Sequence, residues 1–340
     1  LEKQASILQN HCFWFRRASS KHPKTTLFKM APTLIQWILD TRHLWPEAIE
    51  TKQLEQVASR ALDLLNPEER KAVLRYYHVR DAKLSLGSHL LKRYAISRFC
   101  GVPWPEATAV RDERTKPIFR AADGTTPLSF NVSHQAGLVA LFAVHGYDAA
   151  NGPVDVGVDV VCTSERRTRD HSMLRNEGWP KFVDVHADVL SPLEANFLKW
   201  QVLAAIPPGL KPGASVEDAA DFKLRCFYAL WCLREAYVKM TGEALLAPWL
   251  GDLQFKKFRP PTPAESFEAE GEAVTDHEIV FKGAKVEDAN VSLKALGPDF
   301  MTCSAVRTPQ RKEDGLAFEL GSYKMLEIEE VLAFGESHQS

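Results

Sequence analysis

Helical periodicity governs residues 66–101 and returns over 224–242, and each time it gives way to short β-branched and apolar runs. Helix then strands, twice, departs from the strand–helix alternation of a parallel sheet, so the chain reads as α+β. Asn66-Pro67-Glu68-Glu69 announces the first helix with an N-cap, a proline at the first helical position and a glutamate at N3. Apolar residues recur at Val73, Leu74, Tyr77, Leu84, Leu91, Tyr94 and Ala95 until Gly101-Val102-Pro103, which fits one long helix or two abutting ones. A strand is expected early in 31–45, and LSFNVSHQ (128–135), LVALFAVHG (138–146) and PVDVGVDVV (153–161) read as further strands. The tract from Asp148 to Pro153 is the natural boundary between two halves.

In the second half, SPLEANFLKWQVLA (191–204) repeats the start signals with Ser191, Pro192 and Glu194. A Pro/Gly-rich loop over 206–221 leads into the helix of 224–242, closed by Gly242. LQFKKF, EIVFKG, NVSLKALG and MTCSAVRT read as strands, with an acidic loop over 260–272, and 325–335 adds a strand or a helix. The stretch after Thr163 reads as polar and charge-rich, and residues 1–30 have no clear period.

Composition narrows the function classes. The 340 residues carry 42 Lys plus Arg against 44 Asp plus Glu, a net charge of −2. That balance removes the non-specific attraction of a nucleic-acid binder, so an anionic ligand must meet a local basic cluster. No apolar run approaches a membrane span, and the N-terminus lacks the pattern of a signal peptide; Leu1 reads as a processed or joined end. Six scattered cysteines without a C-x-x-C pair fit reduced thiols, and no histidine falls at zinc spacing. The expectation is a soluble cytoplasmic monomer that binds neither nucleic acid nor membrane. Phosphate-loop, dinucleotide and nucleophile-elbow motifs are absent from the sequence.

Three segments place polar groups in apolar surroundings. In Phe130-Asn131-Val132-Ser133-His134-Gln135, the Ser-His pair either donates to phosphate oxygens or simply forms a turn. Asp159, inside Gly157-Val158-Asp159-Val160-Val161, either binds a cation with a second acid or sits at a strand edge on backbone N–H groups. Phe227, Trp231, Glu235 and Lys239 share one helical stripe, either a surface ion pair or the wall of a cleft whose lower part is buried.

Taken in order, FNVSHQ, GVDVV and WCLREAYVK resemble the F-N-x-S-H, G-[IV]-D and W-x-x-[KR]-E-x-x-x-K motifs of the Sfp-type 4′-phosphopantetheinyl transferases, most like the broad-range fungal enzymes. NPEERKAVLRYYHVRDAKLSLGSHLLKR (66–93), ERTKP (113–117) and SPLEANFL (191–198) extend the resemblance over about 30–310. It implies transfer of phosphopantetheine from coenzyme A to a carrier-protein serine, with release of adenosine 3′,5′-bisphosphate. The implied fold is two pseudo-symmetric halves, each a small, mostly antiparallel sheet packed with a long helix, and a ligand cleft between them. This divides the chain into an extension (1–30), a first half (31–152) and a second half (153–336) carrying the metal and catalytic residues. No repeat is visible in the sequence across Asn151.

Carried over, the resemblance makes Asp159 and Glu235 ligands of Mg²⁺, or Mn²⁺ in its place. Glu235 would take the serine proton, and Lys239 would stabilise phosphate. Ser133 and His134 would contact the coenzyme, with His134 also counted among the catalytic groups. Arg80, Lys83, Ser85, Arg114 and Lys116 would complete a basic pocket, although Arg80 and Lys83 also fit a solvated helix face. Where many members carry a third acid the chain has Val161, so either water fills that position or Gln135 lends its amide oxygen. Implied partners are acyl and peptidyl carrier proteins or domains of fatty acid, polyketide and nonribosomal peptide synthases and of aminoadipate reductase. Candidates for a basic docking rim are Lys211, Lys256, Lys257 and Arg259. A coenzyme A or carrier-protein binder without chemistry is the other reading.

Overall fold

The computed structural model describes residues 31–206, 215–242, 247–269 and 271–340. Strand β1 (Thr33–Asp40) turns Ile35, Trp37 and Leu39 into one apolar core and Ile38 into another, the period-2 alternation of a strand buried on both faces. Helix α1 (Pro67–Leu74) starts where the capping signals put it. Asn66 Oδ1 accepts from the Glu69 N–H at 2.9 Å, and the Glu69 carboxylate accepts from the Asn66 N–H at 3.2 Å. The chain then breaks at residues 75–78 before α2 (Val79–Cys100), which ends on Gly101 in the left-handed conformation, φ 65°. Two abutting helices, not one, fill the periodic stretch.

A hairpin of β2 (Leu128–Gln135) and β3 (Leu138–His145) follows. The second half opens with β4 (Asp155–Cys162), then α3 (Arg167–Glu177), a helix where the sequence showed only a charged tract. Its inward face is polar: Asp170 accepts from the Tyr228 hydroxyl at 2.5 Å, and His171 Nε2 lies 2.6 Å from Asp221 Oδ1. Helix α4 (Pro192–Asn196) is capped by Ser191 and passes into a π-turn over Phe197–Val202. Helix α5 (Val216–Thr241) starts eight residues earlier than the sequence suggested, because Ser215 and Asp218 cap each other; Gly242 closes it. Residues 207–214 of the expected loop, and 1–30, lie outside the described residues.

Strands β5 (Ala289–Leu296) and β6 (Phe300–Arg307) form the second hairpin, and Leu253–Lys257 pairs with Glu278–Phe281 in a small side sheet. The last segment supplies both a strand, β7 (Lys324–Leu326), and a helix, α6 (Ile328–Ser337). The sheet orders are β7-β1-β3-β2 and β4-β6-β5 with an added edge at Ala273–Val274. Each lobe therefore repeats strand, long helix, hairpin, with the first strand antiparallel to the second strand of the hairpin. Strand β7, by contrast, pairs parallel with β1, so residues 324–326 complete the first lobe's sheet.

The repetition reaches single side chains. In the first lobe Glu69, at N3 of its capping box, receives Arg93 Nε of α2 at 2.8 Å; in the second, Glu194, at N3 of its own, receives Arg234 Nη1 of α5 at 2.7 Å. Both arginines are 2% exposed, and each also caps backbone carbonyls: Trp104 for Arg93, Leu250 and Leu253 for Arg234. The [NS]-P-x-E signature and its distant arginine are the internal repeat that the sequence alone did not reveal.

Asn131 and Gln135 join the lobes. Strands β2 and β4 are edges of their own sheets, yet the Val158 N–H donates to Asn131 Oδ1 at 3.1 Å and the Cys162 N–H to Gln135 Oε1 at 3.2 Å. A third apolar cluster, including Ile38, Phe142, Val156, Val158 and Val160, fills the space between the lobes. On the opposite face of β4 stands Gly157, where a Cβ would lie 2.1 Å from the Ala236 carbonyl oxygen and 2.4 Å from the Met240 nitrogen. Only glycine lets α5 approach β4 this closely.

Two stability tests follow from the buried pairs. Glu194→Ala strands the Arg234 charge and should cost ~3–5 kcal/mol in urea unfolding, whereas Glu194→Met with Arg234→Met should recover most of it; a double variant as unstable as the single would contradict this. At Glu69, burial alone would raise the carboxyl, but contact with His89 and the Arg93 guanidinium bring it down from 4.5 to about 2. A lowered folded pKa gives stability that is complete above the unfolded value and is lost as pH falls through the folded one. Wild type should exceed Glu69→Gln by roughly 3 kcal/mol at neutral pH, with the gap closing between pH 4.5 and about 2. A gap independent of pH would contradict the assignment.

Candidate functional site

Strand alternation sends Gly157, Asp159 and Val161 toward α5, and the close approach at Gly157 brings Asp159 against the last turns of that helix. Ser133 Oγ, from β2, donates to Asp159 Oδ1 at 2.8 Å. Lys239 Nζ, from α5, donates to the same Oδ1 at 2.6 Å and to Ser133 Oγ at 2.9 Å. Asp159 is 5% exposed, and the triangle supplies its carboxylate with two hydrogen-bond donors, one of them an ammonium. One turn earlier on α5, burial and the neighbouring Asp159 charge push the Glu235 carboxyl up to about 7, with Lys239 opposing. For Lys239, burial alone would lower the ammonium, and Asp159 reverses this to a net rise. The stripe foreseen on α5 is present: Phe227 is buried, Trp231 half-buried, and Glu235 and Lys239 reach the junction of the lobes.

The sequence-selected residues do not all converge. His134 opens to solvent beyond Ser133; crowding and the ammonium groups of Lys239 and Lys92 hold its pKa below the ordinary value, leaving a neutral imidazole at pH 7. The Gln135 amide is engaged elsewhere: its oxygen takes the Cys162 N–H and its nitrogen donates to Glu165 at 2.8 Å. Val161 lies in the apolar core of the second lobe. Lys116 Nζ donates to the carbonyls of Val156 at 2.9 Å and Met240 at 3.4 Å, and Arg114 to that of Thr241 at 3.2 Å, so both cap the C-terminal end of α5.

Arg80 and Lys83 line a pocket of about 380 Å³ at the start of α2, together with Arg42, the Ala136-Gly137 turn and Glu165. Half-buried Ser85 lies on the same helix outside that lining. Arg42 was missed because it follows β1 without any motif; Asp40, at 2.7 Å, and the Phe267 ring, 4.7 Å from the guanidinium, hold it in place. The pocket gathers three cations and two carboxylates, Asp81, which lies 3.7 Å from Arg80, and Glu165, and the Gln135–Glu165 bond ties its wall to β2. The suggested docking cations carry acidic partners: Lys256 meets Glu278 at 4.0 Å, Lys257 meets Asp276 at 2.7 Å, and Arg259 pairs with Glu272. Lys211 lies outside the described residues. No helix among the described residues is long and apolar enough to cross a membrane.

Comparison with known proteins accounts for this geometry. Residues 52–146 match the N-terminal domain model of 4′-phosphopantetheinyl transferase, and residues 155–291 match the 4′-phosphopantetheinyl transferase superfamily. The chain is 52% identical to 4′-phosphopantetheinyl transferase 1 of Fusarium mangiferae over 306 residues, covering 90% of this chain and 96% of the relative. It is 35% identical to the 4′-phosphopantetheinyl transferase of Aureobasidium melanogenum over 309 residues, 80% and 90% of the two chains. The L-aminoadipate-semialdehyde dehydrogenase-phosphopantetheinyl transferase of Mus musculus is 26% identical over 190 residues, about half of each chain (54% and 50%). Two lobes joined at a buried Asp159–Ser133–Lys239 triangle, and relatives matched over nearly their whole length, lead to one assignment: the chain belongs to the 4′-phosphopantetheinyl transferase family.

Proposed function

We propose that this protein transfers the phosphopantetheine arm of coenzyme A to a serine of acyl or peptidyl carrier proteins, with Asp159 and Glu235 holding a divalent cation. The observation that carries the reading is the buried triangle of Asp159, Ser133 and Lys239 on the segments that resemble the family's motifs, with Glu235 one turn from Lys239 on the same helix. Carrier domains of fatty acid, polyketide and nonribosomal peptide synthases and of aminoadipate reductase are the intended substrates. A cytoplasmic location agrees with five unpaired cysteines among the described residues.

The donor set fits a hard cation. Two carboxylate groups share one site, and the pressure of Asp159 on the Glu235 carboxyl is what a cation between them would relieve. Among the described residues no cluster of three His, Cys, Asp or Glu can hold a metal, so the protein would offer two acids, with phosphate oxygens and water as the other ligands, a preference of Mg²⁺ that Mn²⁺ shares. Gln135, whose amide oxygen keeps a second lone pair beside the bond from the Cys162 N–H, is the residue that would add a third protein ligand, with water as the alternative. When bound, the cation neutralises charge that builds on the transferred phosphoryl group.

The remaining steps belong to the side chains. Arg42, Arg80 and Lys83 bind anionic phosphate of the coenzyme, and the N-terminal N–H groups of α2 favour it further. Glu235 accepts the proton of the carrier serine hydroxyl, directly or through one water, as the serine oxygen bonds to phosphorus and the bond to adenosine 3′,5′-bisphosphate breaks. The Lys239 ammonium donates to phosphate oxygen, and the neutral His134 ring lends a hydrogen bond from the mouth of the site.

Intact-mass spectrometry of an apo carrier protein incubated with this protein, coenzyme A and Mg²⁺ should show one added phosphopantetheine arm. EDTA should abolish it, and Asp159→Asn should slow it ~10²-fold or more while carrier binding persists. Transfer that is indifferent to EDTA and to Asp159→Asn would overturn the metal assignment. Coenzyme binding without transfer to any of several carriers would favour a non-catalytic binder.

A further inference from the structure

We propose that Lys239 is a tethered placeholder cation: it pairs with Asp159 and leaves it when phosphate arrives, so that divalent metal and coenzyme A bind cooperatively. The inference rests on the transferase reading and adds a control of ligand binding to it.

The geometry is that of an occupied cation site. Two donors converge on the single oxygen Asp159 Oδ1, Lys239 Nζ at 2.6 Å and Ser133 Oγ at 2.8 Å, and the same ammonium donates to Ser133 Oγ at 2.9 Å. A hydroxyl has one proton, and Ser133 spends it on Asp159, so in this arrangement it cannot donate to a phosphate. A carboxylate that is 5% exposed requires a counter-charge, and Lys239 supplies it from within the chain. Glu235, one turn away, makes no hydrogen bond or ion pair among the described residues. The site thus has one acid paired with an ammonium and one acid without a hydrogen-bond partner among the described residues.

A metal entering alone has the second oxygen of Asp159 open to it, yet there it stands close to the Lys239 ammonium on Oδ1, and the like-charge repulsion opposes binding until the ammonium finds another acceptor. A pyrophosphate entering with the metal gives the ammonium new acceptors, and the flexible stem of lysine allows the exchange. Metal affinity then depends on the coenzyme, and coenzyme affinity on the metal by the same factor.

The test is Mn²⁺ binding, read from the loss of the free-ion EPR signal, with and without coenzyme A, in wild type, Lys239→Met and Lys239→Arg. Without coenzyme A, Lys239→Met should bind Mn²⁺ ~10-fold more tightly than wild type, and coenzyme A should then add little. Lys239→Arg, which keeps the charge, should stay near wild type. If Lys239→Met does not fold, Lys239→Gln carries the same expectation. Equal or weaker Mn²⁺ binding by the folded neutral variant overturns the proposal. The coenzyme-free arm decides the placeholder, whereas the carrier mass assay decides the reaction, so one can fail without the other.

Discussion

Two side-chain amides hold the candidate site together. Strands β2 and β4 lie side by side as the edges of different sheets, and the N–H groups of Val158 and Cys162 find their acceptors on Asn131 and Gln135. Buried backbone donors must be satisfied, and a strand edge without a ladder has to borrow acceptors from side chains. Both bonds span 27 residues, which fixes one register between the strands. In that register Ser133 meets Asp159; a slip of one residue would turn the opposite face of β4 toward it. The asparagine of the F-N-x-S-H segment is thus architectural in this structure, and the serine two residues on is what it positions.

The same economy runs through each lobe. A glutamate that caps a short helix also neutralises an arginine on the long helix, and that arginine ties down backbone carbonyls. In WCLREAYVK, Arg234 is therefore structural and its neighbour Glu235 faces the site, which is why adjacent charges on one helix have opposite fates. Gly157 completes the arrangement by letting α5 close on β4, so that its last turns reach Asp159.

Much of this was legible in the chain. Capping boxes at Asn66 and Ser191 located helix starts because they act through local hydrogen bonds, and short β-branched and apolar runs broken by turn residues located β2, β3 and β4. Asp159, Glu235 and Lys239 stood out because charge inside apolar surroundings needs a reason. Helix α3 was illegible because its buried face is held by Asp170 and His171 rather than an apolar stripe. Arg42 had no local signal, since its place depends on how the turn after β1 meets the start of α2. Arg114 and Lys116 carry cationic chemistry that suits phosphate and helix carbonyls alike, and their reach to carbonyls at and beside the α5 terminus depends on tertiary placement that no local pattern announces. The duplication of the lobes was hidden because a four-residue signature and a lone distant arginine fall below any visible repeat.

The central claim is that Asn131 clamps β4 in the register that builds the site. Amide hydrogen exchange at Val158, compared between wild type and Asn131→Ala, tests it most directly. The clamp predicts slow exchange in wild type and a marked acceleration at Val158 in the variant, while amides of β6 paired to the other side of β4 keep their protection. Unchanged protection at Val158 would mean that the lobes are held in register by their apolar contact alone, and the account of how Ser133 meets Asp159 would have to be abandoned.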